Sequence, residues 1–301
     1  MRGSMGRALP TVLAILLAAT SSAQVVARRA GRLVVEADQS QAFPGGLVPV
    51  RLHARRGLRG TAHAILDGRR CPFFPDSGSW QALVPIPATF NPGPATLGIE
   101  IRGGRGRQRI AVPVEIAARE YGARQVALTE SKLALLLQPS AVRDGRQVQL
   151  ALREVSPERY WGGGLSPPVS APPTDSYGAR VSYSGVSPLE ASMDAIHGEY
   201  HRGLDYDVPV GTVVEAPAAG TVLLAGPLAL SGETVALDHG QGVISVFFHL
   251  SRIDVRPGDS VEARAPLGLS GESGLAASPH LHWAVYVHGV AVDPRALQRL
   301  D

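Results

Sequence analysis

Apolar and polar residues alternate with a period of two over much of the first third of the chain. Val48, Val50, Leu52 and Ala54 alternate with Pro49, Arg51 and His53, and Leu97, Ile99 and Ile101 repeat the pattern, as do Ile110, Val112, Val114 and Ile116. Successive strand side chains point to opposite faces, so such alternation buries one face and wets the other. Pro44-Gly45-Gly46, Asp67-Gly68, Pro92-Gly93 and Gly103-Gly104 supply turn chemistry between the runs. The pattern predicts an immunoglobulin-like β-sandwich over 24–117.

Residues 118–175 change character. Val148, Leu152 and Val155 stand at helical spacing and predict a short connecting helix over 146–155. Gly162-Gly163-Gly164 followed by Pro167, Pro168, Pro172 and Pro173 predicts an exposed linker or loop. From 176 to 301 the chain is again strand-rich, with runs at Val213-Val214, Thr221 to Leu224, Thr234 to Leu237, Val243 to Phe248 and Leu281 to Val287. Glycines fall between these runs, so a second, all-β domain is expected.

Arg2 and Arg7 precede a largely apolar stretch from Leu9 to Ala19, and Ser21-Ser22-Ala23 offers small residues for cleavage before Gln24. Residues 1–23 therefore read as a secretory signal, with no membrane span after its removal. Export to the periplasm, the cell envelope or the extracellular medium follows. Without Arg2 and Arg7, 27 basic residues face 26 acidic ones, which leaves no basic face for nucleic acid. Cys71 is the single cysteine and makes no internal disulfide.

Of nine histidines, seven lie between His197 and His288. His280 and His282, two apart on a strand-like run, project from one face while Leu281 points to the other. His201 and Asp205, four apart, share a face of either a strand or a helix. Imidazoles with a carboxylate suit Zn2+, whose catalytic sites keep three protein ligands and one open position. His201, Asp205 and His282 would make three, with His249 and His280 beside the water. His197 also stands four before His201. His239 and His288 adjoin glycines and read as turn residues, and His53 and His63 lie on polar strand positions. There is no H-E-x-x-H, no G-x-S-x-G, and no base beside Cys71.

His201-Arg202-Gly203-Leu204-Asp205 and Gly211-Thr212-Val213-Val214-Glu215-Ala216 resemble the first motif of the lysostaphin-type (LytM) zinc endopeptidases. Asp238-His239-Gly240, Phe248-His249-Leu250-Ser251, Ser278-Pro279-His280-Leu281-His282 and Val292-Asp293-Pro294 resemble the remainder, and Tyr177-Gly178-Ala179-Arg180 is similar to the segment that precedes the first motif. The order H-x-x-x-D, lone His, H-x-H is highly specific. Two positions depart from the family: Ala284 follows Trp283 where Glu is frequent, and Ser278 replaces a glycine.

The resemblance implies a C-terminal antiparallel β-sheet peptidase domain with a narrow groove. It also implies one Zn2+ per chain on His201, Asp205 and His282. His249 and His280 would handle the water and the developing charge, in either order. The substrate implied is a peptide bond in peptidoglycan stems or cross-bridges. A wall-binding module or amidase activator with a structural metal is the competing reading, and the intact ligands with two further histidines favour the enzyme.

Overall fold

The computed structural model describes residues 25–54, 57–58, 60–103, 106–136, 138–174, 177–184, 200–298 and 300. The signal-like leader and His197 lie outside them. The alternating runs form strands: β1 (Val25–Ala30), β2 (Leu33–Asp38), β3 (Leu47–Ala54), β4 (Thr61–Leu66), β5 (Arg69–Pro72), β6 (Phe74–Asp76), β7 (Ser79–Pro85), β8 (Gly93–Gly103) and β9 (Gly106–Ile116). They make two antiparallel sheets, in the orders β1-β2-β3-β7-β6 and β5-β4-β8-β9. Val35, Val48, Val50 and Leu52 from one sheet meet Ala64, Leu97, Ile99 and Val112 from the other in a core closed to solvent. The predicted turn at Asp67-Gly68 joins β4 to β5 with positive φ at both residues, 49° and 74°, the twist that tight hairpins require.

The connecting region differs from expectation in two ways. It holds β10 (Ala123–Ala127), α1 (Glu130–Leu136) and α2 (Pro139–Ala151), followed by β11 (Arg180–Ser184), with β10 and β11 paired in parallel. The helix expected over 146–155 thus begins earlier and stops sooner. Val148 and Leu152 pack on one apolar cluster, whereas Val155 is exposed. Pro157 bars any continuation past Ser156, because it disfavours helical backbone there and cannot donate to a continuing helix.

The Gly/Pro stretch is a packed strap and not an exposed linker. Trp161, Leu165 and Val169, set among its glycines and prolines, are buried in the core of the C-terminal half. Backbone bonds hold the strap along its length: Leu165 N to Leu297 O, Ser166 N to Pro217 O, Glu215 N to Pro168 O, and Thr174 N to Asp205 O.

The C-terminal half contains β12 (Gly203–Tyr206), β13 (Val213–Glu215), β14 (Gly220–Leu228), β15 (Gly232–Asp238), β16 (Val243–Leu250), β17 (Arg252–Ile253), β18 (Ser260–Val261), β19 (Pro266–Leu269), β20 (Leu281–Val287), β21 (Val290–Val292) and α3 (Pro294–Leu297). Its main antiparallel sheet runs β12-β20-β16-β15-β14-β18 with β21 on β20, beside a smaller sheet β13-β19-β17. The fold is mainly β, as the alternation predicted.

Sandwich and sheet are joined tightly. Leu47 and Leu83 of the sandwich enter the same core as Tyr177 and Leu297. Asp293 N donates to Gly45 O at 2.7 Å, and Arg119 pairs with the Asp293 carboxylate. Gly45 has φ of 81°, and a Cβ there would lie 2.4 Å from the Tyr177 ring, so only glycine lets the sandwich approach this closely.

Candidate metal and active site

β12 sits at the edge of the main sheet against β20, with Asp205 opposite His282 in the register. Cross-strand partners project from the same face, so the strand pairing itself brings carboxylate and imidazole together. Leu281 points the other way and is fully buried in the core. His201 precedes β12, fixed by His201 N to Ala179 O and Gly178 N to His201 O, both 2.8 Å. One donor atom each from His201, Asp205 and His282 falls within 4.8 Å of the others.

This donor set fits a divalent ion. His282 Nδ1 is 2.9 Å from both Asp205 Oδ1 and His201 Nε2. Burial, followed by the neighbouring His201, lowers the His282 pKa to about 4, so its ring is neutral at pH 7. Burial pushes the Asp205 carboxyl up, but hydrogen bonds from His201 and His282 outweigh it and hold the group well below the usual carboxylate range. An ionised carboxylate and neutral imidazole converging on one point is the ligand chemistry of zinc.

His249 and His280 complete the cluster. The ring centroids of His249 lie 4.9 Å from those of His280 and 6.3 Å from those of His282. His249 is strained, with φ of 64° near the end of β16, a region few non-glycine residues occupy. Its Nδ1 donates to Ser273 O at 2.8 Å, and His280 Nδ1 donates to Ser278 O at 2.7 Å. Both rings are thereby set with Nε2 as the atom left for chemistry. Burial and the neighbouring imidazoles lower the His249 pKa to about 3, which keeps it neutral. His280 Nε2 is 3.9 Å from Asp205 Oδ1.

The structure therefore brings together His201, Asp205, His282, His249 and His280. Among the described residues it places other histidines elsewhere. His239 is fully buried, with Nδ1 near Ala219 O and Nε2 near Ser245 Oγ, a core residue more than a turn residue. His288 has φ of 48° in the tight turn between β20 and β21. His53 lies on the sandwich with its Nε2 3.3 Å from the Glu36 carboxylate. Cys71 is buried, and burial raises its pKa to about 12, which makes it an inert thiol.

Sequence reasoning missed Arg124. Its Nη1 donates to Asp205 Oδ2, reaching the cluster from β10, where Tyr121-Gly122-Ala123-Arg124 repeats the Tyr177-Gly178-Ala179-Arg180 run.

A model of peptidase family M23 matches residues 199–294. The peptidoglycan DD-endopeptidase ShyA of Vibrio cholerae is 34% identical over 93 residues, which make up 31% of this chain and 22% of that protein. Lysostaphin of Staphylococcus staphylolyticus is 36% identical over 105 residues, 33% of this chain and 22% of that protein. The chain spans about a quarter or less of the length of such curated relatives. A solved peptidase M23 structure from Pseudomonas aeruginosa aligns over 86% of this chain and 95% of that one, at 30% identity and a TM-score of 0.61. With that alignment running over most of both chains, this chain belongs to peptidase family M23.

Proposed function

We propose that the protein is an exported zinc metalloendopeptidase that hydrolyses peptide bonds in peptidoglycan stems or cross-bridges. One observation carries the reading: a carboxylate and two imidazoles converge within 4.8 Å, beside two histidines whose Nδ1 atoms are already committed to backbone carbonyls. Relatives named as peptidoglycan DD-endopeptidases support the substrate, and the signal-like leader supports export.

His201, Asp205 and His282 would hold the metal. Zn2+ bound there lowers the pKa of a water towards about 7 and polarises the scissile carbonyl. His249 and His280 do the proton work at Nε2. A neutral ring takes the proton from the attacking water, and a ring protonated at Nε2 donates to the carbonyl oxygen or the departing amine. The bond from Nδ1 to Ser273 O holds the His249 ring in place before substrate arrives.

The test is cleavage of defined peptidoglycan types by the zinc-loaded protein, followed by mass spectrometry of the released muropeptides. New free amino groups and shortened cross-links are expected, and a His282→Ala protein should release neither. A zinc-loaded wild type that binds these walls and cuts no bond would replace this reading with the wall-binding one.

A further inference from the structure

Arg124 lies outside residues 199–294, which the family model matches, yet it contacts the candidate site directly. The two oxygens of Asp205 are divided between different neighbours. Oδ1 is the oxygen inside the imidazole cluster, 2.9 Å from His282 Nδ1, 3.1 Å from His201 Nε2 and 3.9 Å from His280 Nε2. Oδ2 accepts from Arg124 Nη1 at 2.5 Å. We propose that Arg124 is a positioning residue that keeps Asp205 a one-oxygen metal ligand, leaving a coordination position for water.

This inference rests on reading His201, Asp205 and His282 as the metal set. A carboxylate near a divalent ion can swing to offer both oxygens, and the second oxygen then competes for the open position that a catalytic site needs. A charge-assisted bond from a guanidinium occupies that second oxygen. Partners behind a ligand commonly fix its orientation in this way. The Arg124 side chain is half-buried and reaches inward to Asp205, whose side chain is 4% exposed.

The backbone holds Arg124 where it can do this. Arg124 pairs with Val181 in the parallel ladder of β10 and β11, and the residues leading into β11 are bonded to the backbone of His201. The chain beyond β10 is fastened at the opposite end of the site. Lys132 Nζ, in α1, donates to Glu272 O at 3.0 Å and to Ala276 O. That loop also carries the Ser273 carbonyl that orients His249. One segment is thus anchored at Asp205 and behind His249.

Cobalt substitution tests the proposal without relying on turnover. Co2+ complexes of the full mature wild type, Arg124→Ala and Arg124→Lys are compared by visible absorption, and zinc affinity is measured by chelator competition, with circular dichroism to verify folding. Arg124→Ala is expected to convert the strong absorption of four-coordinate Co2+ to the weaker bands of higher coordination, and to weaken zinc binding about 10- to 100-fold. Arg124→Lys should restore part of both. An unchanged spectrum and affinity in folded Arg124→Ala would overturn the proposal while leaving the metal reading intact. So would a rise in hydrolysis with the metal centre unaltered, which would make the segment a cover over the groove. A wild type that takes up neither ion removes the metal set, and this role with it.

Discussion

Asp205 and His282 are register partners across β12 and β20, and their side chains meet at 2.9 Å between Oδ1 and Nδ1. The distance between two candidate ligands is therefore set by sheet hydrogen bonds, which leave little freedom, and not by a loop. His201 hangs from the strand entrance and supplies the third donor.

Removing one member of this set should release the metal. Purified wild type is expected to carry about one Zn2+ per chain, and His282→Ala to lose most of it, because two ligands hold zinc poorly. Elemental analysis after gentle desalting checks both. Full zinc content in the variant would show that the ligands lie elsewhere.

His249 should behave differently. It is placed to handle a proton, so His249→Ala should keep zinc and the fold while hydrolysis falls by about two to four orders of magnitude. Its bond to Ser273 O orients the ring and leaves the three candidate ligands untouched. Metal content, melting temperature and the rate of amino-group release measured together decide the matter. An undiminished rate would remove His249 from the chemistry.

Part of the pH dependence of stability comes from a residue outside the candidate site, in addition to the buried His249, His282 and His288. Burial lowers the His239 pKa to about 4, against the opposing support of the Ala219 carbonyl. In the unfolded chain a histidine titrates near 6.5. Between pH 6.5 and 4 the unfolded chain binds a proton that the folded one refuses, so stability falls as the pH drops through that window. The loss from this residue is about 3 kcal/mol and is complete below pH 4. Urea unfolding of wild type and His239→Gln at pH 7.5, 6 and 4.5 should show a flatter dependence in the variant.

Much of this was legible from residue spacing. The strands around Val48, Ile99 and Ile110 announce themselves by alternation, since each buries one face, whereas those around Val243 and Leu281 are continuous apolar runs buried on both faces. His280 and His282 could be placed on one face because Leu281 between them belongs to the core. β10 was not legible: Ala123 to Ala127 is short and weakly apolar, and its pairing with β11 joins residues more than fifty positions apart. Arg124 was hidden for the same reason, since its role depends on that pairing. The strap misled because glycine and proline usually mark exposed turns, and three apolar side chains outweighed that composition.

Trp161 should anchor that strap. It is buried, with its ring facing the core and the Arg159 guanidinium 5.2 Å from the ring centroid. Trp161→Ala is expected to cost about 3–5 kcal/mol, the range for a large aromatic removed from a core. Proteinase K should then nick between Gly162 and Thr174 in the variant but not in wild type. Rapid cleavage of the wild type there would mean that the strap is a free linker.

The last prediction concerns Gly203, where the first candidate motif crosses β20. A Cβ on this residue would lie 2.4 Å from the Trp283 carbonyl oxygen and 2.8 Å from His282 Nε2. The requirement is for space and not for unusual backbone, since Gly203 has no left-handed φ. A backbone carbonyl in a ladder cannot yield as a flexible side chain can. In Gly203→Ala, β12 must draw back from β20 or the His282 ring must turn, and either movement separates His282 from Asp205. Overpacking of this kind costs about 1–3 kcal/mol, and here part of the strain falls on the metal set. Zinc affinity should drop along with the melting temperature. Gly122→Ala is the control, because a Cβ there meets nothing within 4 Å and Gly122 also has no left-handed φ. Chelator competition and thermal unfolding on both variants separate the outcomes. A Gly203→Ala protein that matches the control in both measurements would show that the β12–β20 contact does not set the geometry of the site.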